Sequence, residues 1–252
     1  MGLVFYGDCG NGGDNGGGIV SNGEELDRIR KAYRNYSQIG ITQKKWTSTN
    51  PGNQIIWQEC KNKMKEILEA HGFFPLTHHR ILDIGCGSGR VLETFRQWGA
   101  SPNNLYGVDL RNKCIEKSKR EFPEFTFLVG NAERLNFKDH TFDLVLLFTV
   151  FSSILDNRMA FNIAKEINRI LITNGAIIWY DFRFNNPINL NVRKMTKKNI
   201  QSFFPNFNNY SFKITVLPPL ARRLGRYTHL LYPKLAAVPF LLTHYLSILK
   251  KP

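Results

Sequence analysis

The feature that most constrains the fold is the stretch 80–90, which reads Arg-Ile-Leu-Asp-Ile-Gly-Cys-Gly-Ser-Gly-Arg. A short apolar run ends at Gly85, Gly87 and Gly89, and an amphipathic pattern follows directly. Glycines are needed where a turn adopts torsions that a side chain would obstruct and where a ligand approaches the main chain closely. A helix that begins there directs free N–H groups and its positive dipole end into the same space. The stretch therefore predicts a strand, a tight turn and a helix that together bind a ligand.

The next apolar run, Leu105 to Val108, ends on Asp109, twenty positions after Gly89. A carboxylate at this place can accept hydrogen bonds from both ribose hydroxyls of an adenosine ligand. A nicotinamide dinucleotide and S-adenosylmethionine both contain such a ribose. Dinucleotide sites prefer the spacing G-x-G-x-x-G, whereas this chain has G-x-G-x-G preceded by Asp83. The glycine spacing therefore favours S-adenosylmethionine.

The segment from Asp83 to Gly89 resembles motif I of class I S-adenosylmethionine-dependent methyltransferases. Three later segments resemble further motifs of that family in the expected order, namely 129–133, 142–147 and 171–176. The resemblance spans roughly residues 80 to 182. It implies a Rossmann-like α/β fold whose seven-stranded sheet is parallel except for one antiparallel strand, with S-adenosylmethionine as cofactor. One departure is Asn131, where Asp is commoner, but an Asn carbonyl can also accept from the adenine amine.

Ligands of open parallel sheets lie beyond the carboxyl ends of the strands, so the residues there are the expected cofactor-binding residues. They are Asp83, Gly85, Cys86, Gly87, Asp109, Leu110, Asn131, Ala132, Glu133 and Phe148. Aromatic rings attract a sulfonium charge, and Tyr33 and Trp46 are expected to cover the cofactor from the N-terminal side. We interpret Cys86 as a small residue that fits the turn and not as a catalytic thiol, because no base stands beside it in the sequence.

The charge of the chain is uneven. Lys and Arg number 34 against 20 Asp and Glu, which gives +14, yet residues 182–252 hold twelve basic residues and no carboxylate. We expect Arg222 and Arg223 to draw in an anionic acceptor such as a sugar phosphate. A solvated basic surface is the alternative.

Composition divides the chain into three parts. Residues 1–23 are rich in Gly, Asn and Asp and predict a flexible tail, not a signal peptide. Residues 24–79 predict a helical cap with one helix to about Tyr36 and another around 56–68. Residues 80–252 form the expected methyltransferase domain, with an insertion at 218–242 that is longer than a hairpin needs and predicts a lid. The four cysteines form no CxxC pair, which argues against a zinc site or a disulfide scaffold and favours a cytoplasmic location.

A general base matters in methyl transfer chiefly when the acceptor is a hydroxyl. Asp181, near the carboxyl end of the fifth strand predicted from Ala176 to Phe182, is the first candidate, and a salt bridge to Arg183 or Arg193 is the equal alternative. His229 in the insertion is the second candidate, although a lone lid histidine is more often incidental. The expected substrate-binding residues are Tyr180, Arg183, Asn185, Arg222, Arg223 and Tyr227.

A finer resemblance, carried by Asn50-Pro51-Gly52, by 148–154, by 180–187 and by the closing Thr-His-Tyr segment, covers nearly the whole chain. It is a likeness to a bacterial methyltransferase subgroup, and it implies transfer to a small-molecule or glycan acceptor, for which we expect a hydroxyl oxygen. A nucleic-acid methyltransferase is disfavoured, because 148–151 reads Phe-Thr-Val-Phe where base-amine enzymes carry Asn/Asp-Pro-Pro-Tyr/Phe. An enzyme on the inner membrane face that acts on a lipid-linked glycan, and a non-catalytic binding protein, remain open. No metal and no obligate protein partner are expected.

Overall fold

The computed structural model describes residues 23–38 and 49–252 of the 252-residue chain. The predicted N-terminal tail up to residue 22 and the predicted cofactor residue Trp46 lie outside these ranges.

The described chain is organised around a seven-stranded sheet with the order β3-β2-β1-β4-β5-β7-β6. The strands are β1 Ile81–Ile84, β2 Leu105–Asp109, β3 Thr126–Val129, β4 Phe142–Phe148, β5 Leu171–Phe182, β6 Asn208–Val216 and β7 Leu242–Lys250. Strands β1 to β5 pair in parallel, whereas β7 runs antiparallel to both β5 and β6. The predicted sheet with one antiparallel strand is therefore confirmed.

Helices cover both faces of the sheet, as the alternation of apolar runs with helical patterns requires. They are α1 Gly23–Gln38, α2 Pro51–Ala70, α3 Arg90–Gln97, α4 Asn112–Glu121, α5 Val150–Ser153, α6 Asn157–Ile170, α7 Lys197–Phe203, α8 Pro218–Arg223 and α9 Thr228–Ala236. Side chains of α1, α6 and α7 pack with one face of the sheet, and side chains of α2, α3 and α4 pack with the other. The strand order reverses direction between β1 and β4, and this places a crevice at their carboxyl ends.

Two helix starts near the crevice follow from their capping residues. The side chain of Asn50 accepts from Gly52 N and Asn53 N, and Pro51 occupies the first turn of α2, where its missing N–H costs nothing. Asp156 accepts from Met159 N and begins α6. These caps fix the two helix N-termini that flank the carboxyl ends of β4 and β5.

The insertion at 218–242 folds into α8, a short 3₁₀ turn and α9, and it packs on α2. The backbones of α2 and α8 approach so closely that a Cβ at Gly52 would lie 2.4 Å from Ala221 O. A side chain does not fit there, so Gly52 is the residue that lets the insertion dock on α2.

Two features differ from expectation. The fifth strand begins at Leu171, five residues before the predicted Ala176, because Leu171 pairs with Phe142 across an irregularity in the β4–β5 register. Helix α7 was not predicted from the sequence, although Thr196 and Asn199 form a capping box at its start.

Cys60 and Cys86 are free and buried, whereas Cys114 is disulfide-bonded. A disulfide at Cys114 was not expected from the sequence, which argued against a disulfide scaffold. Within residues 23–38 and 49–252, no helix is long and apolar enough to cross a membrane.

Candidate cofactor and acceptor sites

The glycine turn after β1 has the backbone that the sequence predicts. Gly85, Gly87 and Gly89 adopt φ angles of 71°, 53° and 76°, a region that L side chains avoid. Gly85 N and Cys86 N both donate to Val108 O, at 2.7 and 3.1 Å, and this ties the turn to β2. The turn therefore presents main chain, not side chains, to the crevice.

Asp109 at the end of β2 is the electrostatic centre of the crevice. Its Oδ2 accepts from Gly87 N at 2.9 Å, and its Oδ1 accepts from Arg111 N at 2.9 Å. The Arg111 side chain adds a fork, Nε to Oδ1 and Nη2 to Oδ2, both at 3.0 Å. A carboxylate offers about four acceptor positions, so all of them are in use. Asp109, which is predicted to accept hydrogen bonds from the ribose hydroxyls, is thus paired with Arg111.

Arg111 also connects β2 to the N-terminal helix. Its guanidinium carbon lies 4.5 Å from the ring centroid of Tyr33, a cation–π distance. Burial raises the pKa of Tyr33 to about 12, which keeps its hydroxyl protonated. Helix α1 is held in place by Glu25, which accepts from Arg28 and from Leu155 N. The predicted covering role of Tyr33 matches this position over the crevice.

The crevice itself contains about 620 Å³ of empty space, part of it open to solvent. Its lining includes the predicted residues Tyr33, Gly85, Asp109, Leu110, Asn131 and Ala132. It also includes apolar residues that the sequence did not single out, namely Ile29, Val150, Ile154, Met159 and Ile163. The latter come from α1, α5 and α6, and only their helical spacing marks them in the sequence.

Asp83 on β1 is buried, and its Oδ2 has no hydrogen-bond partner among the described residues. Burial, followed by the neighbouring Asp109 charge, raises the pKa of Asp83 well above its ordinary value. An unpartnered buried carboxylate oxygen is costly unless a donor or a cation meets it. Asp83 lies next to the glycine turn but is not among the residues that line the crevice, so it acts on a ligand there through its field. Two carboxylates near the turn favour a positively charged group and disfavour a pyrophosphate.

The remaining predicted cofactor residues lie close by. Asn131 Oδ1 accepts from Glu133 N at 3.0 Å, which closes the turn after β3, and Glu133 accepts from Asn162 at 2.8 Å. Cys86 is buried, and burial raises the pKa of its thiol well above its ordinary value, so the thiol stays protonated. A Cβ on Gly107 would lie 2.7 Å from the Cys86 sulfur, so a bulkier residue at position 86 would press on β2.

Asp181 at the end of β5 is fully buried and already occupied. Its Oδ2 accepts from Ser152 N at 3.0 Å and from Trp179 Nε1 at 3.4 Å, and its Oδ1 accepts from Phe182 N at 2.9 Å. Burial raises the pKa of Asp181 to about 6. The alternative of a direct salt bridge to Arg183 or Arg193 is not what the structure has, because main-chain and indole N–H groups satisfy the carboxylate. These contacts position α5, and a catalytic role of Asp181 stays a prediction.

Tyr180 points to the opposite face of β5 from Asp181, as the alternation along the strand predicts. Its ring stacks on Phe148 at 5.6 Å and on His244 of β7 at 4.7 Å, with an angle of 11° to the imidazole. Its hydroxyl lies 2.9 Å from Thr215 Oγ1. His244 was missed by the sequence reasoning. The signal for it was its position in the closing Thr-His-Tyr segment, next to the carboxyl end of β5.

The other predicted acceptor residues are not brought together. Arg183 donates to the carbonyl oxygens of Pro239 and Leu242, and Asn185 Oδ1 accepts from Lys194 N at 2.7 Å, so both hold loops. Arg222 is half-buried and donates to Asn53 Oδ1 at 2.8 Å. The exposed residues on the insertion are Arg223, Tyr227 and His229. The six predicted substrate-binding residues therefore divide into two loop tethers, two surface residues, the buried Tyr180 and the half-buried Arg222, and the catalytic candidate His229 lies on the surface.

Part of the chain matches a family of known proteins. Residues 82–179 match the family described as "Methyltransferase domain". They span β1 to most of β5 and include the glycine turn, Asp109 and the turn after β3. Over these residues the chain carries a methyltransferase domain, which supports the resemblance to class I S-adenosylmethionine-dependent methyltransferases.

Relatives of this methyltransferase domain include the demethylmenaquinone methyltransferase of Thermotoga maritima, which is 26% identical over 39% of this chain and 42% of its own length. The ubiquinone/menaquinone biosynthesis C-methyltransferase of Rickettsia typhi is 24% identical over 76% of this chain and 77% of its own length. A solved S-adenosylmethionine-dependent methyltransferase from Archaeoglobus fulgidus superposes with a TM-score of 0.54 at 18% identity, over 76% of this chain and 94% of that one. The match to the first of these relatives spans about two fifths of its length.

The family match implies S-adenosylmethionine as the cofactor, and the residues around the crevice fit it. The unpartnered Asp83 oxygen suits the ammonium of its methionine part, and the apolar wall of the crevice suits its adenine. Asp109 suits its ribose once the Arg111 fork has moved away. The main chain of the glycine turn can approach it closely.

Proposed function

We propose that the chain transfers the methyl group of S-adenosylmethionine to a small-molecule or glycan acceptor, at a hydroxyl oxygen. The observation that carries the proposal is the buried Asp83 oxygen without a partner beside the glycine turn. A donor cation satisfies that oxygen, and the pyrophosphate of a nicotinamide dinucleotide does not. The relatives support methyl transfer to a small molecule, and one of them is named a C-methyltransferase, so the hydroxyl oxygen is the finer part of the proposal.

When bound, the cofactor would supply a methyl group on a sulfonium, and an acceptor would attack the methyl carbon in line as the thioether leaves. The chain contributes positioning and exclusion of water, which together can account for much of the rate of such a transfer. The main chain of the glycine turn, Asp83 and Asp109 bind and orient the cofactor. Tyr33 on α1 covers the crevice, and its aromatic face favours a cationic ligand.

The acceptor would approach from the carboxyl ends of β4 and β5, where Phe148, Tyr180 and Asp181 lie. When a hydroxyl is methylated, the sulfur–methyl bond breaks, the oxygen–methyl bond forms and the hydroxyl proton must leave. Asp181 remains our first candidate to take that proton. To do so it would have to give up one of its present N–H partners.

The proposal is tested by incubating the chain with S-adenosylmethionine labelled in the methyl group and with pooled hydroxylated acceptors from the producing cell. We expect labelled product and an equal amount of S-adenosylhomocysteine. Asp109→Ala should abolish both, whereas Glu124→Ala, which removes an exposed carboxylate, should leave them unchanged. Cofactor binding without turnover on any pool would instead identify a non-catalytic binding protein.

A second candidate, an acceptor presented at a membrane surface, is favoured by the exposed apolar side chains of two loops. Ile188, Leu190 and Phe240 are 87%, 84% and 76% exposed, in a part of the chain that carries basic residues and no acid. Such a surface suits an anionic bilayer. Co-sedimentation with phosphatidylglycerol vesicles but not with phosphatidylcholine vesicles would support it, and no co-sedimentation with either would rule it out. A cytoplasmic location and the absence of nucleic-acid binding remain predictions, and a gel shift at physiological salt tests the latter.

A further inference from the structure

A buried histidine lies at the carboxyl end of β5, on the face where Tyr180 points. His244 on β7 pairs with Phe182 on β5 and is only 1% exposed. Its imidazole stacks on the Tyr180 ring at 4.7 Å and tilts against the Phe182 ring at 4.6 Å. The ring is therefore clamped in one orientation.

The hydrogen bonds of His244 fix which nitrogen carries the proton. Thr243 Oγ1 donates its one hydrogen to Thr215 O at 3.1 Å, so its 2.9 Å contact with His244 Nδ1 must be donated by the imidazole. Burial lowers the pKa of His244 to about 3, so the ring is neutral at physiological pH. Nε2 is then a bare lone pair, and it has no hydrogen-bond partner among the described residues. A buried acceptor of this kind favours a ligand that brings an O–H or N–H donor.

Arg222 brings a positive charge to the surroundings of Tyr180 and His244. The half-buried Arg222 donates from Nε to Asn53 Oδ1 at 2.8 Å, and its charge acts on both Tyr180 and His244. Asn53 belongs to the first turn of α2, a 20-residue helix whose N-terminus adds a positive potential. Burial lowers the pKa of Arg222 to about 10, so it keeps its charge at neutral pH. A half-buried guanidinium attracts an oxyanion more strongly than an exposed one, because water screens it less.

We propose that His244 and Arg222 form the recognition site for the acceptor and that the acceptor is a hydroxylated oxyanion. One of its hydroxyls donates to His244 Nε2, on the face of β5 opposite to Asp181, and its carboxylate or phosphate meets Arg222. The stack of Phe148, Tyr180 and His244 keeps the imidazole in a fixed orientation. This inference rests on the proposed methyltransferase function and narrows its substrate class.

The test uses four small probes added to the full chain saturated with S-adenosylhomocysteine, with affinities measured by ligand-observed NMR titration. The probes are 3-hydroxybenzoate, 3-hydroxyphenyl phosphate, 3-hydroxybenzyl alcohol and benzoate. We expect at least one hydroxylated acid to bind about tenfold tighter than the neutral alcohol, and 3-hydroxybenzoate to bind about fivefold tighter than benzoate. Whichever acid binds more tightly decides between carboxylate and phosphate.

Two variants separate the two contacts. His244→Phe keeps the ring stack and should remove the preference for the hydroxyl, and Arg222→Gln should remove the preference for the acid. Thr243→Val, which leaves the imidazole in place but frees its tautomer, should weaken the hydroxyl preference and serves if His244→Phe does not fold. Lys234→Gln, a loss of the same charge at an exposed position of α9, should change neither.

The inference is overturned if every probe has a dissociation constant above about 20 mM, which is a very weak affinity. It is also overturned if wild type does not discriminate among the probes, or if the variants keep both preferences. Calorimetry with S-adenosylhomocysteine alone separates this failure from failure of the proposed function. Normal cofactor binding with no probe preference overturns only the acceptor site, whereas absence of cofactor binding overturns the function itself.

Discussion

Replacing Arg111 with Leu should make the protein bind its cofactor more tightly. The Arg111 fork occupies both oxygens of Asp109 at 3.0 Å, which are the atoms that the ribose hydroxyls need. Both side chains are largely buried, 19% and 5% exposed, so the pair is screened only in part. Cofactor binding must therefore break a charge-assisted contact before it can form its own.

The size of the effect follows from those contacts. A charge-assisted hydrogen bond is worth about 1.5–3 kcal/mol. Part of this is recovered, because Arg111 can stay on the Tyr33 ring after it leaves Asp109. A net cost of about 1.4 kcal/mol corresponds to a factor of about ten. We thus expect Arg111→Leu to bind S-adenosylhomocysteine about tenfold more tightly than wild type.

Calorimetric titration with S-adenosylhomocysteine at low and high salt measures this directly. Salt weakens the Arg111–Asp109 pair, so wild type should bind more tightly at high salt, while the variant should respond little. Arg120→Leu, an exposed position on the same helix, is the matched control and should behave as wild type. Weaker binding by Arg111→Leu would refute the reasoning, because it would mean that Arg111 holds the cofactor instead of competing with it.

Three further outcomes are expected. If Asp181 is the base, Asp181→Asn should lower turnover by about two to three powers of ten while leaving cofactor affinity intact; near-normal turnover would show that Asp181 only anchors α5. The pKa of Asp181 in the folded protein is raised to about 6 from 3.8, so its stabilising contribution is complete below pH about 4 and is lost as the pH rises through 6. The free energy of unfolding of wild type relative to Asp181→Asn should therefore fall by up to about 3 kcal/mol between these pH values. Chemical denaturation at several pH values measures this, and a difference that does not change with pH would contradict it. Gly52→Ala places a Cβ 2.4 Å from Ala221 O and should cost about 1–3 kcal/mol, seen as a lower Tm, whereas Gly23→Ala, whose Cβ meets nothing within 4 Å, should not lower it; equal Tm values would mean that α8 can shift without cost.

The sheet and the cofactor crevice could be predicted from the sequence because the evidence for them is local. The glycine turn, the apolar runs and Asp109 each follow from neighbours in the chain. The strands predicted at 105–108, 125–129, 144–148, 210–217 and 243–249 differ from the observed bounds by at most two residues at either end. Ile81–Ile84 was predicted with its observed bounds.

The acceptor side could not be predicted in the same way, because its contacts join distant segments. Arg222 meets Asn53 across 169 residues, and Thr243 meets Thr215 across 28. The sequence shows that Asp181 and Arg183 lie at the end of β5, but not that main-chain groups already occupy them. The sequence signal for His244 was its place in the closing Thr-His-Tyr segment, but its tautomer, which Thr243 and Thr215 fix together, depends on contacts between distant segments.

The central claim is that the crevice beyond β1 and β2 holds a sulfonium nucleoside and not a dinucleotide. Isothermal titration of the full chain with S-adenosylmethionine, S-adenosylhomocysteine and NADH tests it most directly. The account predicts saturable binding of the first two at one site per chain and none of NADH. Tight binding of NADH with no heat from either sulfur nucleoside would contradict it.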